Sequence, residues 1–305
     1  MGKIAFVFSG QGAQYSGMGR SLYENFDSAK ELYDNAEKIR PDTKRMSFEG
    51  TDEELKQTAN TQPCIYLVQM ACCNALEENG IFADCVAGFS LGEIGALAYA
   101  GAYSDTDGFV IVTKRGALMQ KAAENADTSM AAIMKLSAEQ VTASVKDFEK
   151  LYAVNYNCPG QTVVSGLKES VAAYCEKAPE AGGKAIPLAV SAAFHSPFMD
   201  EASKAFGEYL KEKEISAPKI DVYSNYTARP YEKNVAEYLE NQMRSPVRWQ
   251  ETVENMVADG VTDFIEVGAG KTLCGLIKKI SKDVNVYSVQ DAESLQSTIS
   301  ALKGE

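Results

Sequence analysis

The stretch that most constrains this 305-residue chain is a serine between two glycines at the end of an apolar run. Gly88-x-Ser90-x-Gly92 follows the apolar run 83–87 and precedes residues 94–101, whose spacing is helical. A sharp strand-to-helix turn pushes a serine hydroxyl out of a sheet and needs small residues two positions before and after it. Backbone N–H groups then lie at a helix N-terminus, where negative charge is stabilised. The pattern predicts a nucleophile elbow, the alternative being a Ser90 that is only a buried turn residue.

The composition is that of an ordinary soluble protein, with 45% hydrophobic and 24% charged residues. A net charge of −12 makes nucleic acid and anionic membrane poor partners, and we expect neither. Seven cysteines, mostly in apolar runs and without a C-x-x-C pair, indicate a reduced, cytoplasmic protein. The N-terminus leads directly into a predicted strand, and no apolar run approaches the ~18 residues of a span. We therefore expect neither a signal peptide nor a membrane helix.

The order of predicted elements divides the chain into two units. Lys3–Phe8 is a continuous apolar strand, as in the centre of a parallel sheet. Between residues 130 and 190 the predicted order βαββαβ is ferredoxin-like. We therefore predict a large, mostly parallel α/β domain of residues 1–127 and 191–305, with an inserted α+β subdomain of residues 128–190. Helices are predicted over 20–39 and from Gln62 or Pro63 to residue 79, with the proline near the helix start.

Two glycine-rich loops follow predicted strands, and neither fits a nucleotide-binding motif. Gly10-x-Gly12 lacks the third glycine of the dinucleotide fingerprint. Gly268-Ala-Gly-Lys-Thr272 lacks the first P-loop glycine, because position 265 is isoleucine. The first loop is either a simple tight turn or a source of backbone N–H groups, and of Gln11, beside Ser90. The second loop predicts a strand-to-helix turn.

Arg115 projects from the middle of the apolar face of a helix predicted from Ser104 to about residue 124. A guanidinium on a core-facing stripe must find an anion, because an unpaired buried charge is very unfavourable. The anion is either an internal carboxylate or a carboxylate of the substrate, held by two parallel hydrogen bonds.

A serine nucleophile needs a general base, and the chain contains a single histidine, His195. His195 follows a predicted strand in a loop, where catalytic groups tend to lie. Alone it could be structural, but together with the elbow it is predicted to be the base. No acid nearby stands out beyond Asp200, so a distant carboxylate or a backbone carbonyl must orient the imidazole.

Motifs spread over nearly the whole chain occur in this order: Gly10-Gln-Gly-Ala-Gln14, Thr61-Gln-Pro63, Gly88-Phe-Ser-Leu-Gly-Glu93, Arg115-Gly-Ala-Leu-Met119, Asn155-Tyr-Asn-Cys-Pro-Gly-Gln161, Phe194-His195, Ser245-Pro-Val-Arg-Trp249 and Glu266-Val-Gly-x-Gly-Lys271. Together they resemble those of the malonyl-CoA:acyl-carrier-protein transacylases, the discrete malonyltransferases of fatty acid synthesis. The resemblance implies a hydrolase-like α/β domain with a ferredoxin-like insertion. It also implies transfer of malonyl from malonyl-CoA to the phosphopantetheine thiol of acyl carrier protein through a malonyl-serine. Neither metal nor cofactor is implied, since the CoA thioester is a substrate.

The resemblance also assigns roles to individual residues of this chain. It makes Ser90 the nucleophile and His195 its base, with the backbone N–H groups of Gln11 and Leu91 as the oxyanion hole. The substrate side comprises Arg115 on the malonyl carboxylate, with Gln62, Met119 and Phe194 lining the acyl pocket. The backbone carbonyl of Gln242 would orient the histidine, which would account for the missing acid.

Two positions depart from what is usual in those relatives. Phe89 stands where a histidine usually precedes the serine, and Lys184-Ala185 stands where two basic residues are often found. The carrier protein is acidic, so we expect a local basic docking patch, formed by Lys184 and by Lys271, Lys278 and Lys279. We further expect a monomer.

Three other functions remain open from the residues alone. A trans-acting acyltransferase of polyketide assembly would use the same chemistry with a different carrier. A serine hydrolase would release free malonate. A non-catalytic carrier-binding protein would form no covalent acyl adduct.

Overall fold

The computed structural model describes residues 2–190, 192–232 and 234–304. Its strands are β1 (Lys3–Phe8), β2 (Cys85–Gly88), β3 (Thr128–Met134), β4 (Leu151–Cys158), β5 (Gln161–Leu167), β6 (Lys184–Pro187), β7 (Asp221–Tyr223), β8 (Val261–Val267) and β9 (Asn285–Val289). Its helices are α1 (Arg20–Asn25), α2 (Asp27–Ile39), α3 (Thr43–Glu49), α4 (Asp52–Lys56), α5 (Thr58–Glu78), α6 (Gly92–Tyr99), α7 (Asp105–Ala123), α8 (Ala138–Ser144), α9 (Lys168–Lys177), α10 (Asp200–Lys211), α11 (Val235–Arg244), α12 (Trp249–Ala258), α13 (Thr272–Ile280) and α14 (Ala292–Lys303).

The main sheet is parallel and has the order β7-β2-β1-β8-β9, with the predicted strand β1 at its centre. Residues 5–8 of that strand are fully buried, as expected of a strand covered on both faces. Phe8 is in register with both Gly88 and Val267. The carboxyl ends of β1, β2 and β8 therefore meet at one edge, and the loops that follow these strands meet there too.

The second sheet is antiparallel, with the order β4-β5-β3-β6. The predicted order βαββαβ is confirmed over this region, with shifted boundaries. The first strand begins at Thr128, two residues before the predicted region, and ends at Met134, because Lys135 has a φ of +70° and its N–H turns to the Gly160 carbonyl. The first helix of this region, α8, ends at Ser144 and continues as a 3₁₀ turn, Val145–Asp147.

The helix boundaries near Pro63 were predicted wrongly. The helix begins at Thr58, so that Pro63 lies inside it and not near its start. The carbonyl of Gln57 accepts the N–H groups of Asn60 and Thr61, which fixes the first turn ahead of the proline. Almost all of α5 is buried, and its packing against α7 outweighs the single helical hydrogen bond that proline cannot donate. The helix predicted over 20–39 is likewise two helices, α1 and α2.

The turn after β8 is of the predicted strand-to-helix kind, since α13 begins at Thr272. Gly268 has a φ of +121°, and a Cβ there would lie 2.3 Å from Ser9 Oγ. This glycine therefore lets the β8 loop approach the loop that follows β1. The elements α3, β9 and α14 were not predicted from the sequence.

All seven cysteines are unpaired, and five of them are buried. They serve as small core residues, as their positions in apolar runs predicted. Among the described residues, no helix combines the length and apolarity required to cross a membrane.

Candidate active site

The elbow has the geometry that the sequence predicted. Ser90 lies between the end of β2 and the start of α6, with a left-handed φ of +55°. A Cβ at Gly88 would lie 1.9 Å from the Gly92 carbonyl carbon, and one at Gly92 would lie 2.3 Å from the Phe8 carbonyl oxygen. The two glycines are thus required by backbone contacts, and they hold the serine in its strained conformation.

His195 contacts this serine directly. Its Nε2 lies 2.8 Å from Ser90 Oγ, and its Nδ1 lies 3.0 Å from the backbone carbonyl oxygen of Gln242. A carbonyl only accepts, so the proton is assigned to Nδ1 and the Nε2 lone pair faces the hydroxyl. Asp200 is instead 3.7 Å from the Arg244 guanidinium. Of the two orienting groups that the sequence left open, the backbone carbonyl is the one that contacts the imidazole.

The environment of His195 keeps its ring neutral. Burial, and secondly the positive charge of Arg115, lower the pKa of His195 to about 4. The imidazole is therefore unprotonated at neutral pH and can accept the hydroxyl proton. It is 4% exposed, so bulk water reaches it poorly.

Arg115 is completely buried, as its place on the apolar face of α7 predicted. Its guanidinium donates to Gln62 Oε1 at 2.9 Å, to Gln242 Oε1 at 2.8 Å and to Ser90 Oγ at 3.2 Å. Within the described ranges no carboxylate forms an ion pair with it. Burial lowers the pKa of Arg115 to about 10, partly countered by Glu93, and leaves it charged at neutral pH. The buried cation is met only by neutral oxygens.

The other residues predicted for the acyl pocket fall into two groups. Gln62 and Met119 are buried beside the guanidinium, with Gln62 Nε2 3.3 Å from Met119 Sδ. Phe194 is buried next to His195 in the chain. Gln62 contacts Arg115 directly and Met119 contacts Gln62, whereas Phe194 is associated with the site only as the neighbour of His195 in the chain.

The backbone N–H groups of Gln11 and Leu91 are available as donors. Neither donates a hydrogen bond to any part of the chain that the structure describes, whereas the Ser90 N–H is occupied by Asn225 Oδ1 at 2.7 Å. Leu91 precedes the first residue of α6, at the positive end of the helix dipole. The Gln11 side chain turns away to Thr58 Oγ1 at 3.2 Å. The two predicted donors thus remain unused.

A cleft of about 220 Å³ lies between the two sheets, beside the elbow. It is lined by the glycine-rich loop after β1, by Phe89, by residues of β4 and β5, and by the start of α13. Asn157, for which the sequence offered no role, lines this cleft with its Oδ1 unpaired among the described residues. The cleft reaches the loop that carries Gln11, one of the two predicted oxyanion donors.

Sequence reasoning missed three polar side chains that support the elbow. Asn225 binds the Ser90 N–H and also donates to the Gly88 carbonyl at 2.6 Å. The Gln242 side chain contacts Arg115, and Glu93 contacts the Gln242 side chain. The position of Asn225, two residues after β7 at the functional edge of the sheet, was a usable signal.

The side chains around Ser90 offer an imidazole, a guanidinium and several amides. Among the described residues, no group of three or more His, Cys, Asp or Glu side chains could hold a metal ion. The arrangement is equipped to move one proton, to stabilise an oxyanion and to bind a carboxylate.

Comparison with known proteins identifies the family. Residues 5–299 match the acyl transferase domain family. The malonyl CoA-acyl carrier protein transacylase of Bacillus subtilis (strain 168) is 42% identical, over 100% of this chain and 99% of that protein. The crystal structure of the transacylase of that name from Clostridium perfringens superposes with a TM-score of 0.95 at 36% identity, covering 99% of this chain and 98% of that one.

A third relative was solved with its partner. This is PlMCAT, a malonyl-transacylase in complex with holo AntF, a type II PKS acyl-carrier protein. The TM-score is 0.94 at 32% identity, with 99% of this chain and 100% of that one covered. On the extent of these matches, the chain belongs to the acyl transferase family.

Proposed function

We propose that this chain transfers a malonyl group from malonyl-CoA to the phosphopantetheine thiol of acyl carrier protein, as an [acyl-carrier-protein] S-malonyltransferase of fatty acid synthesis. The observation that carries the proposal is the convergence of two groups on one hydroxyl. Ser90 Oγ lies 2.8 Å from the neutral imidazole of His195 and 3.2 Å from the buried, charged guanidinium of Arg115. A nucleophile with both a base and a carboxylate-binding cation suits a malonyl thioester.

In the first half-reaction, Ser90 Oγ attacks the thioester carbonyl carbon while His195 Nε2 takes the hydroxyl proton. The resulting oxyanion accepts hydrogen bonds from the backbone N–H groups of Gln11 and Leu91. Each such donor stabilises a tetrahedral intermediate by about 3 kcal/mol in comparable sites. The carbon–sulfur bond then breaks, the CoA sulfur takes the proton from His195, and malonyl remains esterified to Ser90.

The second half-reaction reverses these steps with a new thiol. The phosphopantetheine sulfur gives its proton to His195 Nε2 and attacks the serine ester. The same two backbone donors stabilise the intermediate, and the proton returns to Ser90 Oγ as the ester bond breaks. The Gln242 carbonyl holds the imidazole in one tautomer throughout, so no acid partner is required.

Arg115 gives the site its preference for a malonyl group. A malonyl carboxylate would supply the anion that the guanidinium otherwise lacks, whereas an acetyl group would leave the buried cation unpaired. Gln62 and Met119 would fix the acyl group beside Arg115, and Phe194 would close the pocket near the base. The CoA thioester is the substrate, and we propose no metal or cofactor.

We also propose a division of the chain into two domains. Residues 1–127 and 191–305 would form a hydrolase-like catalytic domain, and residues 128–190 an inserted ferredoxin-like subdomain. Support comes from the parallel order of the main sheet and from the antiparallel order β4-β5-β3-β6 within one βαββαβ segment.

For the carrier we propose a docking patch formed by Lys184, Lys271, Lys278 and Lys279. All four lysines are exposed, and α13, which carries two of them, also lines the cleft. On a chain of net charge −12, a local basic patch is what an acidic carrier needs. Charge reversal at these lysines should raise the KM for the carrier, and an unchanged KM would refute the patch.

A carrier of polyketide synthesis is the second candidate partner. The observation that favours it is the close similarity to PlMCAT, which was solved with a type II PKS carrier. The chemistry at Ser90 would be unchanged, because only the docking surface distinguishes the carriers.

We further propose a cytoplasmic monomer. Seven unpaired cysteines suit a reducing compartment. One chain supplies every group of the site, so no second subunit is needed to complete it.

The experiment that tests the function separates transfer from hydrolysis. Purified protein is incubated with malonyl-CoA and a holo acyl carrier protein, and both malonyl-carrier and free malonate are quantified. We expect malonyl-carrier to form much faster than malonate. Faster release of malonate would establish a hydrolase, and no consumption of malonyl-CoA would establish a binding protein.

A further inference from the structure

Glu93 is a completely buried carboxyl that the mechanism above does not use. It lies in the first turn of α6, three residues after Ser90. Its Oε2 accepts the Asn225 N–H at 2.9 Å and Gln242 Nε2 at 3.1 Å, and its Oε1 accepts the Tyr231 hydroxyl. Burial raises the pKa of Glu93, and the hydrogen bonds from Tyr231, Asn225 and Gln242 counter that rise. Three donors converging on one carboxyl group are the environment of a carboxylate rather than of a carboxylic acid.

The Gln242 side chain connects this carboxylate to the guanidinium. Its amide nitrogen donates to the Ser90 carbonyl at 2.7 Å and to Glu93 Oε2, so its amide oxygen faces Arg115 at 2.8 Å. The amide has no freedom to reverse, because a flipped amide would direct its NH₂ at a cation and its oxygen at two acceptors. Glu93 and Arg115 are thus charges of opposite sign separated by one fixed amide.

The separation matters because direct contact would produce a different site. A carboxylate bound to the Arg115 guanidinium would occupy the donors that a substrate carboxylate needs. Because the Gln242 amide lies between the two charges, Glu93 offsets part of the buried positive charge without forming an ion pair with the guanidinium. No other described acid pairs with the guanidinium. Arg115 Nε also has no hydrogen-bond partner among the described residues. The cation is partly compensated by a charge that it does not contact.

On the basis of the proposed function, we propose that Glu93 is a positioning residue that limits how tightly Arg115 binds the malonyl carboxylate. Acting through Gln242, it holds the guanidinium in place, and its negative charge opposes the second negative charge that malonyl brings. The substrate is therefore bound selectively without being held so tightly that transfer to the carrier slows.

The Glu93→Gln variant isolates the charge from the geometry. An amide oxygen can accept the two N–H groups that Glu93 Oε2 accepts, and the amide NH₂ can donate to the Tyr231 oxygen. Binding is measured on a Ser90→Ala background, so that no acyl transfer occurs. Unit charges roughly 8 Å apart at an effective dielectric of about 20 repel enough to change an affinity about thirtyfold. We expect malonyl-CoA to bind about thirtyfold more tightly, and acetyl-CoA to bind as before.

Glu266→Gln is the matched control, since Glu266 is also fully buried but binds the Cys274 N–H at 2.8 Å, outside this network. We expect it to change neither affinity. Weaker malonyl-CoA binding in Glu93→Gln, equal changes for both thioesters, or no change would each overturn the proposal. A merely structural role for Glu93 predicts one of those results.

A second variant covers the case in which Glu93→Gln does not fold. Tyr231→Phe removes the hydroxyl that donates to Glu93 Oε1, so the negative charge of Glu93 is less well stabilised. On the Ser90→Ala background it should tighten malonyl-CoA binding severalfold and leave acetyl-CoA binding unchanged. Equal changes for the two thioesters, or weaker malonyl-CoA binding, would overturn the proposal. Failure of the proposed function is recognised separately, because the protein with Ser90 intact would then form no malonyl-carrier.

Discussion

Replacing Arg115 by alanine tests the origin of acyl selectivity. The guanidinium is fully buried and pairs with no described carboxylate, so a malonyl carboxylate would form its one ion pair in a site closed to water. Truncating one partner of such a pair removes 2–5 kcal/mol, and about 4 kcal/mol corresponds to roughly a thousandfold. We expect kcat/KM for malonyl-CoA to fall about a thousandfold in Arg115→Ala.

Acetyl-CoA should respond differently to the same change. In the unaltered protein the acetyl methyl group leaves the buried guanidinium unpaired, which disfavours binding. Replacing Arg115 by alanine removes this unpaired charge together with its contact to Ser90 Oγ. The assay is acyl transfer to a holo carrier with each thioester, and the result is the ratio of the two kcat/KM values. We expect this malonyl-to-acetyl ratio to fall at least a hundredfold.

Lys114→Ala is the matched control, because Lys114 is the adjacent residue on α7 and is exposed, with its Nζ over the Tyr209 ring. It should leave the ratio unchanged. Equal losses for malonyl-CoA and acetyl-CoA in Arg115→Ala would refute the reasoning, since Arg115 would then only support Ser90. Thermal unfolding of each variant excludes a general loss of structure.

Three further predictions concern the elbow, the base and the oxyanion donors. Gly88→Ala should lower the free energy of unfolding, measured in urea titrations, by at least about 3 kcal/mol, because its Cβ would lie 1.9 Å from the backbone of Gly92. The control is Gly275→Ala, which has open space around its Cβ and should be neutral or stabilising. Burial lowers the pKa of His195 from 6.5 to about 4, so the unfolded chain binds a proton that the folded chain does not, and stability should fall by about 3 kcal/mol between pH 6.5 and pH 4. In His195→Asn this part of the acid-induced loss should be absent. Asn225→Ala removes the hydrogen bonds to the Ser90 N–H and the Gly88 carbonyl. It should lower kcat at least tenfold with a smaller effect on KM, because the elbow is held less precisely. Equal changes in kcat and KM would contradict this role.

The parts of the site that could be predicted from the sequence are those with a local signature. The small residues around Ser90, the apolar neighbours of Arg115 and the single histidine are visible in short windows. The position of Ser90 beside the loop that carries Gln11 follows because the carboxyl ends of parallel strands meet at one edge of a sheet. The βαββαβ order of the second sheet could likewise be predicted from alternating patterns.

What could not be predicted depends on contacts distant in sequence. Pro63 lies within α5 because buried packing outweighs a missing hydrogen bond, and no window around it reports that packing. The amide network of Gln242 joins residues about 150 positions apart. The role of Glu93 stayed hidden for the same reason, since α6 alone does not reveal which donors its carboxylate meets. Local patterns identified the reacting groups, and tertiary structure supplied the groups that hold them.

The central claim is that malonyl is carried on Ser90 between two thiols. Intact-mass measurement after mixing the protein with malonyl-CoA, followed by peptide mapping, tests it most directly. The account predicts one added malonyl group, located on the peptide that contains Ser90 and absent in Ser90→Ala, with little adduct from acetyl-CoA. Rapid formation of malonyl-carrier without any adduct on Ser90, or an adduct that persists in Ser90→Ala, would contradict it.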